Sequence, residues 1–329
     1  MKKKVLPLAI AAAMAPGFAA AADVSGFANI KYTITDEAAD GTGTGGANPN
    51  ENEFAADGEV DFSASPADGV TVRLDVDLML DQGSGDSASL EQAFFAWGAM
   101  EGLTVIGGVL NNPIGMEGED TTDFWGVNSG VVRNILDQQT VRHGNNITGV
   151  AVAGDVGPAT ITAAYLNDLY GSDDENSFAL IINGSPIEGL DLELGFATQA
   201  DQADSANPVA SAEDITNFNV YYMIPGVEGL GVGLDYLTTG KVIDSAYEFM
   251  VDYKFDKFGV GVRTESVAWE GNFEDAERTS FLVSYKVASN MKAVLEVADG
   301  DVAGAHPSAG TLTGIKQDGL TKLKLLATF

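Results

Sequence analysis

The sequence contains no cysteine, which excludes disulfides and thiolate metal centres. Histidine is nearly absent: His143 and His306 are the two that occur, and neither has a His or Cys beside it to share a metal or a proton. No Gly-x-Ser-x-Gly elbow or phosphate-binding loop stands in a strand-to-helix context, so no nucleophile is nominated and the chain reads as a non-enzyme. Basic residues are scarce, 17 Lys and Arg against 48 Asp and Glu, and the formal charge of −31 argues against nucleic acid and anionic surfaces as partners. Beyond the first twenty or so residues no apolar run is long enough for a membrane helix, a limit that leaves membrane-spanning strands untouched.

What is present begins with "MKKKVLPLAIAAAMAPGFAAAAD". Three lysines, an apolar stretch and small residues near Ala21 and Ala22 are the layout of a secretory signal peptide, expected to cover residues 1–21 and to be removed. Losing Lys2, Lys3 and Lys4 takes the charge from −31 to −34. Residues 22–329 show no linker or composition break and are expected to form one domain.

Period-two alternation then dominates. In "GVTVRLDVDLML" Val70, Val72, Leu74, Val76, Leu78 and Leu80 share one side, and Thr71, Arg73, Asp75, Asp77 and Met79 the other. In "AYEFMVDYKF" Tyr247, Phe249, Val251, Tyr253 and Phe255 oppose Ala246, Glu248, Met250, Asp252 and Lys254. The pattern predicts sixteen strands near 24–34, 58–66, 69–80, 90–99, 103–110, 146–153, 159–166, 177–183, 189–198, 215–224, 230–238, 245–254, 258–268, 278–287, 290–298 and 320–329. The links between them alternate long and short, from six residues (239–244) to thirty-five (111–145) on one side and at most five on the other. Sorted in that way, they predict an all-β fold: an antiparallel transmembrane β-barrel with short periplasmic turns and long extracellular loops. Closure is required because lipid offers no partner to an open strand edge.

Three stretches carry a family resemblance. "QAFFAWGAMEGLTVIGGVLNNP" (Gln92 to Pro113), the opening "DVSGFANIKYT" and the later "VRHGNNITGV" together resemble the general porins of Gram-negative bacterial outer membranes. The resemblance spans essentially the whole chain after the leader, including the terminal Phe329. It implies a water-filled homotrimeric barrel in contact with outer-membrane lipid and lipopolysaccharide, passing small hydrophilic solutes and ions by passive diffusion. The third loop, about 111–145, is expected to fold into the pore, and its acids Glu117, Glu119, Asp120 and Asp123 to face basic residues of the wall. Lys31 matches the family's first-strand lysine and Arg142 an arginine just after the third loop, whereas Val109 stands where an arginine normally follows Leu-Gly. The basic side of the constriction is therefore depleted. A terminal aromatic such as Phe329 is, in that family, the signal for outer-membrane assembly.

On the alternation, the pore side carries Asp61, Asp75, Asp77, Asp191, Glu193, Asp235, Glu248, Asp252, Glu265 and Glu296 against Lys31, Arg73, Lys254, Arg263, Lys286, Lys292, Lys322 and Lys324. An excess of carboxylates predicts weak cation preference; the plainer reading is that the acids keep loops solvated. Phe124 and Trp125 are expected to pin the third loop to the wall or to meet a passing solute. The acidic loop pieces Asp81 to Asp86 and Gly171 to Asn176 supply oxygens suited to weak Ca²⁺ or Mg²⁺ binding without EF-hand spacing, and no other cofactor is expected. Two alternatives stay open from sequence: a secreted acidic β-protein that binds ions or a partner, and a barrel specific for a substrate such as a sugar.

Overall fold

The computed structural model describes residues 22–37, 50–80, 87–138, 146–169, 175–199, 214–239, 243–269, 275–300, 307–308, 311–312 and 317–329. The expected leader, Arg142 and both acidic loop pieces singled out above lie wholly or largely outside them. Fifteen strands follow one another: β1 (Asp23–Glu37), β2 (Asn50–Ala67), β3 (Val70–Leu80), β4 (Ser87–Met100), β5 (Leu103–Asn111), β6 (Asn146–Val156), β7 (Ala159–Asn167), β8 (Asn176–Gly184), β9 (Leu190–Ala197), β10 (Ile215–Met223), β11 (Leu230–Thr238), β12 (Ile243–Phe255), β13 (Phe258–Trp269), β14 (Ala276–Ala288) and β15 (Met291–Gly300). A two-residue ladder, β16 (Pro307–Ser308) with β17 (Thr311–Leu312), precedes the last strand, β18 (Gln317–Thr328). Among the described residues one helix, α1 (Val131–Gln138), interrupts the series between β5 and β6.

Each long strand pairs antiparallel with its neighbours in sequence, and β18 closes the ring between β15 and β1. Phe27 sits opposite Thr328, Lys31 opposite Lys324, and the amide of Phe329 donates to the carbonyl of Gly26 at 3.1 Å. Closure leaves the barrel sheet without an open edge. No helix among the described residues is long and apolar enough to cross a membrane, which says nothing of a barrel.

Alternation decides which way each side chain points. Leu74, Leu78, Phe95, Trp97, Phe178, Phe196, Phe249, Val262, Phe281 and Leu323 are all exposed on the outside, between inward positions such as Asp75, Ala96, Met250 and Arg263 that are almost fully covered. A water-soluble protein seldom leaves so continuous an apolar surface uncovered. Aromatic rings cluster towards the short-turn end: Tyr253, Phe255, Phe258 and Tyr285 form a chain of contacts with centroids 4.9 to 5.8 Å apart.

Two departures from the expected boundaries have physical causes. β2 begins at Asn50 rather than near 58, because the polar stretch "NENEF" is drawn into the ladder by β1, up to the pairing of Asp36 with Asn50. In β4 the register shifts between Asp75 opposite Gln92 and Val76 opposite Leu90, so Glu91 is an extra residue. This bulge lets Glu91 and Gln92 both be buried, each about 4% exposed, although they are neighbours in sequence. The links also stray from strict length order at one place, where 224–229 joins β10 to β11 and 239–242 joins β11 to β12.

Candidate pore constriction

The described part of the segment between β5 and β6, residues 112–138, runs inside the barrel, where it is held by wall carboxylates accepting its backbone amides. Gly115 N–H donates to Glu193 at 3.1 Å and Met116 N–H to Asp235 at 2.5 Å. Further along, Val127 N–H reaches Glu296 at 2.8 Å, Val131 N–H Glu265 at 2.9 Å and Val132 N–H Glu248 at 2.6 Å. The last two, with Gly130 N–H donating to Glu117 at 2.5 Å, satisfy amides at the start of α1 that have no partner within the helix. Negative charge there also complements the helix dipole. An apolar seam completes the anchorage: Ile114, Val132, Ile135 and Leu136 pack into one buried cluster with Leu237, Ile243, Ala246, Val267 and Trp269 of the wall.

Cations tie the other side of the loop. Arg263 is fully buried and lies 3.4 Å from Glu117 of the loop, 3.3 Å from Glu296 and 3.4 Å from Glu265, with the Trp125 ring 5.8 Å away. Glu265 also takes Arg278 through two nitrogens, at 2.7 and 3.0 Å. The ammonium of Lys324, equally buried, donates to the carbonyls of Thr121, Gly126 and Val127, each at 3.1 Å, with the Phe124 ring 5.6 Å from it. Thus Phe124 and Trp125 sit against the wall cations.

The loop acids occupy distinct surroundings. Glu117 is enclosed, accepting from Trp125 N–H at 2.7 Å as well as from Gly130. Glu119 accepts from Asn111 and from Asn146, the latter at 2.7 Å, and burial followed by the nearby charge of Glu91 pushes its carboxyl up to about 11. Asp120 is raised chiefly by burial. Asp123, raised to about 6 by burial and then by Asp120, lines a cavity of about 340 Å³ beneath the loop together with Trp125, Asp191, Tyr221, Lys254 and Lys292.

On the wall, Lys31 pairs with Asp57 at 3.1 Å. Arg73 bridges Asp75 at 2.7 Å and Asp61 at 3.3 Å, and Asp77 lies in a carboxylate group with Glu59 and Glu91. Lys322 is half-buried opposite Glu296 in the β15–β18 register. Phe329 is exposed at the barrel end. The sequence reading passed over Glu59, Glu91, Arg133 and Arg278. Glu59 and Arg278 alternate in phase with Asp61 and Ser280 and were open to it; Glu91 was hidden by the bulge, and Arg133 lies on a helix that strand periodicity does not detect.

Solved structures of the same architecture exist. Two mutants of the Rhodopseudomonas blastica porin superpose on 94% of this chain and 100% of theirs, with TM-scores of 0.61 and 0.62 at 14% and 13% identity. The chain has the porin fold. A structure described as concerning the asymmetric conductivity of engineered proteins aligns over the same shares, at 14% identity and a TM-score of 0.61. No protein-family model and no curated protein matches the sequence. Identity this low makes the porin likeness one of fold, so activity rests on the interior described above.

Proposed function

We propose that the protein is an outer-membrane diffusion porin, in which ions and small hydrophilic solutes pass down their gradients through a loop-narrowed aqueous pore. The observation that carries this reading is a closed barrel, apolar outside, whose β5–β6 segment is fastened across a charged interior. The apolar exterior faces lipid, the long loops face outward with lipopolysaccharide, and the short turns face the periplasm. The protein is assembled as a homotrimer after export and removal of the leader. It is a channel and not a catalyst.

Selectivity follows from which carboxylates remain open to the lumen. Glu193, Asp235, Glu248, Glu265 and Glu296 are committed to loop amides, so they contribute less field than a count of acids suggests. Asp57, Asp61, Asp77, Asp123 and Asp191 remain only partly covered, against Lys31, Arg73, Lys254, Lys292 and Lys322. With the wall charges near balance, the acidic loops at the mouth tip the pore towards weak cation preference. A reversal potential across a planar bilayer with a KCl gradient tests it: the predicted sign is potassium over chloride, and chloride preference refutes the selectivity while leaving the channel standing.

A further inference from the structure

We propose that the inner wall formed by β2, β3 and β4 holds a binding site for a hard divalent cation of the calcium class, with Glu59, Asp77 and Glu91 as its carboxylate ligands. One oxygen from each of the three can be chosen so that all lie within 4.8 Å of one another. Such an approach of three carboxylates is repulsive unless positive charge intervenes. A second set, Glu59 with Asp61 and Asp75, is already served by the guanidinium of Arg73. Arg133 lies 2.8 Å from Asp137 and 3.9 Å from Glu119 and donates to the Asn112 carbonyl at 3.2 Å. The loop carboxyls of Glu119 and Asp120 close in on the same group, within hydrogen-bonding reach of Glu91 and Glu59 respectively.

Independent of the clustering, Glu59 and Glu91 are each more than nine-tenths buried, and each has a carboxylate oxygen sealed from solvent that no donor among the described residues reaches. Buried acceptors normally find a donor or a cation. Carboxylates can bind calcium through one or both oxygens, and lumen water can fill the rest of its six to eight positions; magnesium, demanding a strict octahedron, fits an irregular group less well. Bound calcium would neutralise two of the three carboxylate charges beside the constriction. The inference rests on the pore reading only in placing this wall on the lumen.

The test uses the folded, detergent-solubilised chain stripped with a chelator and titrated with calcium alone by calorimetry at neutral pH. The expected result is one saturable site per chain that is weakened at least tenfold in the double variant E59Q/E91Q and unchanged in D173N/D174N, which alters the acidic loop at 171–176. Should the double variant fail to fold, D77N carries the same expectation. Wild-type protein that binds no calcium below about 10 mM overturns the proposal, since protons alone then neutralise the group. Equal binding by wild type and E59Q/E91Q overturns it too, by placing the ion on the loops. Channel formation by E59Q/E91Q in bilayers is read separately, so failure of the site and failure of the porin reading are distinguishable.

Discussion

Replacing Arg263 by Met removes the cation about which the loop anchorage is organised. Its guanidinium is within 3.4 Å of carboxylates from the loop (Glu117) and from the wall (Glu265, Glu296), with no exposure to solvent. Attraction at such distances is opposed by the cost of desolvating every partner, so the intact network is worth little more than an apolar one. Breaking it differs, because the acids then remain buried without their counter-charge, at a cost of about 3–5 kcal/mol. Each 1.4 kcal/mol is a factor of about ten. The ratio of docked to released loop is therefore expected to fall by about two to three and a half powers of ten, while the sixteen-strand ladder, which does not depend on Arg263, stays closed. Single-channel recording in planar bilayers should show R263M with larger, noisier steps than wild type. The midpoint for heat conversion of the folded band on SDS gels should fall only modestly. E117Q added to R263M removes one of the orphaned charges and should recover part of the wild-type conductance. Wild-type step size and noise in R263M would refute the view that this ion network holds the loop.

Lys324→Met deprives three carbonyls at 3.1 Å of their donor, and with about 1–3 kcal/mol per buried acceptor left unpaired, it should likewise give larger, noisier channels. Asp123, with its carboxyl raised to about 6, is charged above that pH and neutral below it, so potassium preference by reversal potential should fall from about pH 7.5 to about pH 5 in wild type and change less in D123N. Phe249 is exposed on the outer face of β12, and Phe249→Lys should destabilise the folded barrel in lipid by about 2–4 kcal/mol, read from urea unfolding in vesicles. Deleting Phe329 should lower the yield of heat-modifiable barrel in the outer-membrane fraction, and normal yield would count against its role as an assembly signal.

Much of the barrel was legible because a strand with one face in lipid and one in a polar lumen must alternate, as Val70 to Leu80 does. Where the ladder overrides that rule the sequence misleads: β2 extends through "NENEF" because β1 offers it partners, and the bulge at Glu91 puts two successive side chains inside. The interior was legible by residue type and not by task. Nothing in the spacing of Glu193, Asp235, Glu248, Glu265 and Glu296 tells that backbone amides of a loop more than fifty residues away in sequence will occupy them. Such pairings are set by closure of the whole barrel. Lys324 is a similar case: alternation turns it inward, but only the folded loop shows it enclosed by carbonyls.

The central claim is a water-filled path narrowed by the β5–β6 loop. Single-channel conductance of the purified protein in KCl, with neutral polyethylene glycols of increasing size added to the bath, measures it directly. The account predicts discrete steps that small polymers reduce and large ones leave untouched, with the size cut-off raised in R263M. Absence of any conductance from folded, membrane-inserted protein would contradict it.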